Sequence, residues 1–277
     1  MLRAGFRGAV LLAALALAPA GGPRARAAGE ETPQGGATRP SAERTEEAKA
    51  ALREMSGVLA KAKTMRFKVR SLIPMKAADG TWMTLVGGAS VLREGRDRLF
   101  VDTSGDLYPF KLYFDGKTLT AFAPGAQVFA RRDASGTIDD VLAQPQKRGE
   151  AVFVFGDLVS ADPYAQMSKG LLGAWVVGTS TVDGVETRHL AVHGKEVDWE
   201  IWIGKEDRLP RMVTITDNRE ARKPTQTVLI SEWALDEEVP PDAFAFNPPE
   251  GTKEVPFRAP GRPAAAARRG PQPASRP

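Results

Sequence analysis

The stretch VDWEIWIGKEDRLPRMVTIT, residues 197–216, decides how the chain folds. Trp199, Ile201 and Ile203 recur at every second residue, the spacing that puts side chains on one face of a β-strand. Asp198 and Glu200 take the other face, as a solvated sheet surface requires. Trp202 lies there with them, either covering the outside of the sheet or forming a contact patch. Residues 205–208 are all charged and read as a hairpin turn. A second apolar strand follows Leu209-Pro210 and carries Val213 and Ile215. Adjoining strands with so heavy an apolar face form either a packed core or the wall of a ligand cavity.

Working outward, the same period-two pattern recurs on both sides. Met65, Phe67 and Val69 alternate with Arg66, Lys68 and Arg70, and strand-like runs follow near 81–93, 97–104, 109–115, 117–123 and 126–132. Asp79-Gly80 and Asp115-Gly116 supply tight turns between them. After an interruption the strands resume at 174–182, 185–194, 197–204, 209–217 and 225–235, with Asp183-Gly184 as another turn, and an extended segment at 242–251 closes the domain. Residues 41–63 read instead as an amphipathic helix, because Ala48, Leu52, Met55, Leu59 and Ala62 recur at steps of three and four. The interruption, 136–149 and 155–170, reads as short helices, with Asp162-Pro163 as a fresh helix start. The fold class is mainly β with some α: about eleven antiparallel strands, curled or closed round the N-terminal helix and a helical insertion.

The ends read differently. Arg3 and Arg7 precede an apolar run, AVLLAALALAPA (9–20), too short for a membrane span of ~20 residues. Small-residue cleavage sites follow at Ala18-Pro19-Ala20 and Ala25-Arg26-Ala27, so residues 1–27 read as a cleavable export signal. Residues 28–44 read as a flexible linker, 45–257 as the folded domain, and 258–277 (RAPGRPAAAARRGPQPASRP) as a disordered basic tail. The chain has no cysteine, which excludes an acylated-cysteine anchor, a disulfide framework and a thiolate nucleophile. A soluble, monomeric periplasmic protein is expected.

The formal charge of +4 does not argue for nucleic-acid binding. Residues 1–27 carry four arginines and no acid, which leaves the rest of the chain near zero, and what basicity remains is local: Arg258, Arg262, Arg268, Arg269 and Arg276 offset a net acidic 28–257. The tail is either an inert solvated segment or a peripheral contact with an anionic surface.

Motifs for chemistry are weak. Gly116-Lys117-Thr118 imitates the end of a phosphate-binding loop, but it sits in a hairpin turn with no helix to follow. His189 and His193 have the spacing of a zinc-protease helix, but on a strand they stand about 13 Å apart, too far to share a metal. Asp198 and Glu200 lie about 7 Å apart, a glycosidase-like separation that any solvated strand face also produces. Asp139-Asp140 and Glu237-Glu238 are exposed acid pairs with no histidine or cysteine near them in sequence. Neither a cofactor nor a metal is implied, and an enzyme is not expected. What remains is the apolar inventory. Candidate wall residues are Phe110, Leu112 and Phe114 on one strand, Trp199, Ile201 and Ile203 on another, then Val213 and Ile215, and Val228 and Ile230.

Several segments also resemble a known family. LREMSGVLAKAKTMRF (52–67), RLFVDTSGD (98–106), YFDGKTLTAF (113–122), DLVSADPYA (157–165), GTSTVDGVETRHLAV (178–192), DWEIWIGKEDRLPRMVTIT (198–216) and FAFNPPEG (244–251) lie in order over 45–256. They resemble a family of predicted periplasmic bacterial proteins of unknown function, with the fold of the lipoprotein-localisation carriers (LolA/LolB-like). The resemblance implies a half-barrel of about eleven antiparallel strands round a helical plug, lined by apolar residues. More distant relatives use such a lining to shield lipoprotein acyl chains. Three functions are therefore weighed: a carrier of a lipid or acyl chain, an envelope sensor or interaction module that contacts a protein partner, and a hydrolase.

Overall fold

The computed structural model describes residues 42–106, 109–142 and 155–257. The segments expected to be an export signal (1–27) and a basic tail (258–277), most of the expected linker and residues 143–149 of the expected helix lie outside the described residues. The chain opens with helix α1 (Ala42–Lys61) and six strands: β1 (Thr64–Lys76), β2 (Trp82–Glu94), β3 (Arg98–Gly105), β4 (Lys111–Phe114), β5 (Thr118–Ala123) and β6 (Val128–Asp133). Residues 138–142 are helical (α2). Two short helices follow, α3 (Gly156–Val159) and α4 (Pro163–Met167). Strands β7 (Leu171–Val182), β8 (Val185–Gly194), β9 (Val197–Gly204), β10 (Pro210–Asp217), β11 (Thr225–Leu235) and β12 (Lys253–Glu254) complete the fold.

The twelve strands of the described residues form one open sheet, ordered β12-β6-β5-β4-β3-β2-β1-β11-β10-β9-β8-β7. Among the described residues every ladder is antiparallel except β12 on β6, which is parallel and makes the sheet mixed. The eleven expected strands are present and β12 adds a short twelfth; its two residues are both charged and carry no alternation to read. The helix begins at Ala42, so the last residues assigned to the linker are helical. The expected turns are present. Asp183 and Gly184 both take positive φ (47° and 80°), the pair a tight two-residue hairpin needs. Asp115 accepts hydrogen bonds from the Lys117 and Thr118 amides, so Gly116-Lys117-Thr118 is a hairpin turn, as its sequence context implied.

One face of the sheet carries the helices. Ala48, Leu52, Met55 and Leu59 of α1 are buried against Met65 and Phe67 of β1, Leu99 of β3, Phe114 of β4, Ile201 of β9 and Ile230 of β11. Twelve strands spaced about 4.8 Å apart would be roughly 53 Å across if flat, while a helix with its side chains is only about 10–12 Å wide. Residues as far apart in strand order as Phe114 and Ile201 can join one core only if the sheet curls. Outside the curl, Phe246 packs on Tyr113, Phe122 and Phe129 at 5.0–5.4 Å, so the segment 242–251 covers the back of β4–β6.

Arg93 fixes the helix on the sheet. It faces inward on β2 opposite Met65 and is 2% exposed, and its guanidinium donates to the carbonyls of Leu59 (3.1 Å) and Ala62 (2.6 Å) at the end of α1. Burial, and secondarily Arg96, disfavours its charged form. The unpaired carbonyls and the negative end of the helix dipole offset that cost. Arg208 to Glu54 (3.1 Å) adds a tie from the β9–β10 turn to the same helix. Ser56 Oγ accepts the Tyr164 amide (2.9 Å), joining α1 to α4.

Arg93→Met should lower unfolding stability by about 3 kcal/mol, since hydrogen bonds from a charged donor contribute about 1.5–3 kcal/mol each. Arg98→Met, which removes a half-exposed pair with Glu94, should cost less than about 1 kcal/mol. Urea denaturation of both variants checks this. Equal midpoints would show that Arg93 does not anchor the helix.

Candidate functional site

Cross-strand register shows which inner-face side chains meet. Val228 on β11 stands opposite Val213 on β10, which stands opposite Ile201 on β9, itself opposite Leu190 on β8. One step along the strands, Ile215 lies opposite Trp199, Trp199 opposite Val192 and Val192 opposite Ala174. The predicted wall residues of 197–216 therefore do share one face. On the far side of α1, Leu112 and Phe114 face Val101 and Leu99 in the same way.

Burial divides the ten predicted residues. Leu112, Phe114, Ile201, Ile203, Val228 and Ile230 are buried, inside the cluster that α1 fills. Phe110, Trp199, Val213 and Ile215 are half-buried, towards the end of the sheet where the β1–β2 hairpin closes. Phe110 is held there by Thr103, whose hydroxyl donates to the Phe110 carbonyl (2.9 Å) and accepts its amide (2.8 Å). Ile73 and Leu85, paired across β1 and β2, extend the same half-buried surface. Sequence reasoning passed over these two. Their signal was available, because Ile73 and Met75 continue the period-two series begun at Met65.

The outer face of β8–β10 holds the polar groups that had been candidates for chemistry. Trp202 is buried there and stacks on His189, with ring centroids 4.0 Å apart and planes 11° from parallel. His189 Nε2 makes no hydrogen bond; Glu200 stands 3.7 Å away, beyond hydrogen-bond reach, and receives the Thr214 hydroxyl instead. His193 Nδ1 meets Asp198 at 2.6 Å. The two acids are thus each committed to separate neighbours. Among the described residues, no three His, Cys, Asp or Glu side chains are grouped to hold a metal.

Burial pushes the His189 pKa below the ordinary imidazole range, against the smaller upward pull of Glu200. The folded state therefore favours neutral His189, while the unfolded chain takes up its proton near pH 6.5. Stability should fall as the pH drops through that value. His189→Phe, which keeps a ring on Trp202 but cannot titrate, should lose less stability between pH 7.5 and 5.5 in thermal melts. Parallel losses in both proteins would contradict the assignment.

In comparisons with known proteins, residues 48–258 match the sequence profile of a family described as "Predicted periplasmic protein (DUF2092)". No curated protein sequence matches the chain. Among solved structures it is similar to an uncharacterized conserved protein from Thermus thermophilus, at 9% identity and a TM-score of 0.45 over 76% of this chain and 98% of that one. It is similar to LprF from Mycobacterium bovis at 11% identity and a TM-score of 0.44, covering 73% of this chain and 96% of that one. A LolA superfamily protein from Nitrosomonas europaea is similar at 11% identity and a TM-score of 0.35, over 72% and 97% of the two chains.

Proposed function

The chain belongs to the DUF2092 family of predicted periplasmic proteins, and on that premise we propose that it is a periplasmic binding protein for an elongated apolar ligand, a lipid or the acyl chain of a lipoprotein. The observation that carries this reading is the half-buried apolar surface formed by Phe110, Trp199, Val213, Ile215, Ile73 and Leu85 on the helix-bearing face. A packed core leaves few large side chains half covered, because incomplete contact forfeits dispersion and transfer energy. Here six lie on one face, beside a fully buried core.

The chemistry of such a site is simple. Each methylene moved from water onto this surface contributes about 0.8 kcal/mol, so a long chain gains most of its affinity without directional contacts. Selectivity then comes from length and shape more than from hydrogen bonds. The buried part of the face, from Phe114 to Ile230, acts as floor and support.

Trp199→Asp and Ile215→Asp each place a charge on the proposed contact surface at half-buried positions, where the fold should survive. Each should weaken uptake of a fluorescent long-chain fatty-acid probe at least tenfold, with the far-ultraviolet circular dichroism unchanged. Glu206→Gln, in the exposed β9–β10 turn, should bind as the parent does. Uptake unaffected by both inner-face charges would place the probe elsewhere and remove the basis of the reading.

A further inference from the structure

The β1–β2 hairpin outreaches its neighbours. Pairing of β1 with β11 ends at Leu72–Thr227, and pairing of β2 with β3 ends at Gly87–Gly105, yet β1 and β2 stay paired with each other to Lys76–Trp82. Among the described residues, 73–86 thus form a two-stranded projection with no strand on either side, and only Val86 at its base is held laterally, by Asp106, whose amide donates to the Val86 carbonyl and whose carboxylate accepts the Val86 amide (both 2.8 Å). Pro74, which cannot donate to a ladder, sits on this free edge.

Its composition is unusual for an exposed ribbon. Ile73, Met75, Met83 and Leu85 point to the inner side, while Leu72, Pro74, Trp82 and Val86 point to the outer side together with Lys76 and Thr84. The ribbon is therefore apolar throughout on its inner face and at four of six positions on its outer face, and Leu72, Met83 and Val86 are 42%, 39% and 44% exposed. A soluble two-stranded hairpin normally alternates, with one face polar.

Cations surround it. Arg70 and Lys76 occupy outward positions on β1, and Arg222 from the β10–β11 loop lies over the Trp82 ring at 5.3 Å, with Lys223 next to it in the chain. The outward positions of 82–88 on β2, 70–76 on β1, 225–229 on β11 and 212–216 on β10 carry no acid; on β3, which adjoins β2, outward Asp102 is paired with Lys111, and Asp106 just beyond it accepts the Val86 amide. Of the acids in the nearby loops, Asp217 is hydrogen-bonded to Arg219, with Glu220 close by, and Asp79 is occupied by the Thr81 amide.

We propose that the β1–β2 hairpin is a docking element for the surface of an anionic lipid bilayer. Its apolar tip enters the headgroup region, and Arg70, Lys76, Arg222 and Lys223 meet the lipid phosphates. A groove on a partner protein would shield one face of the ribbon and leave the other wet, whereas an interface between headgroups and acyl chains solvates both. Tryptophan beside long basic side chains suits that depth. The unpaired edges of the two strands still need water, which limits insertion to the interface. Each basic side chain near such a surface adds an attraction that salt screens. This inference stands apart from the cargo reading, since docking requires no occupied groove.

The test is co-flotation of the purified protein with vesicles of phosphatidylcholine, with and without phosphatidylglycerol, at low and physiological salt. The protein should float with the phosphatidylglycerol vesicles and release as salt rises. The double variants Met83→Asp/Val86→Asp and Lys76→Glu/Arg222→Glu should each reduce binding at least tenfold. All four positions are partly or fully solvent-exposed, so folding, checked by circular dichroism, should survive. A third variant replaces Arg258, Arg262, Arg268, Arg269 and Arg276 with Gln and should retain most of the binding. No flotation with anionic vesicles, equal flotation with pure phosphatidylcholine, or loss in the tail variant with both hairpin variants intact would each overturn the proposal. So would a hairpin needed only to bind a protein partner.

Discussion

One twenty-residue helix has to cover the inner face of a twelve-stranded sheet, and most of the structure answers to that mismatch. Hydrophobic burial favours bringing every inner-face side chain against α1, and the sheet curls to let Phe114 and Ile201 reach the same core. Curling alone does not hold the helix in register. Arg93 does so at the C-terminal end, where its buried guanidinium satisfies two carbonyls that no residue of the helix can reach. Arg208 and Ser56 hold the helix from other directions, and α3 and α4 add small apolar contributions from Leu158, Val159 and Tyr164.

The helix cannot cover everything. Rows of side chains near its C-terminal end, such as Met65 with Arg93 and Leu99 with Phe114, are fully enclosed. Rows farther along, such as Ile73 with Leu85 and Ile215 with Trp199, are only half covered. The proposed site follows from the same imbalance that shapes the fold. The projecting hairpin continues this trend: beyond the last paired row of its neighbours, its apolar side chains lose cover on both faces.

Much of this was legible in the sequence, for reasons that can be named. Alternation exposed β1 and, but for Trp202, β9, and Asp-Gly pairs marked three hairpins, because both signals depend on local backbone geometry alone. The shared face of Trp199, Ile201, Val213 and Ile215 also followed from alternation, once antiparallel pairing was assumed. Less local features escaped. Arg93 looks like any solvated charge until the end of α1 is placed above it. Trp202 breaks the polar pattern of its face, and only the register opposite His189 shows why it is buried. β12 is two charged residues, given strand character only by its position beside β6. How far each wall residue is covered depends on where the helix stops, which no single-strand pattern records.

The central claim is that the half-covered inner face binds an apolar cargo. Native mass spectrometry of the protein released gently from the periplasm, followed by organic extraction, tests it most directly. The account predicts a bound lipid or acylated species near one per chain, lost when Trp199 is replaced by Asp. A chain that emerges empty, and stays empty after incubation with long-chain lipids, would contradict it.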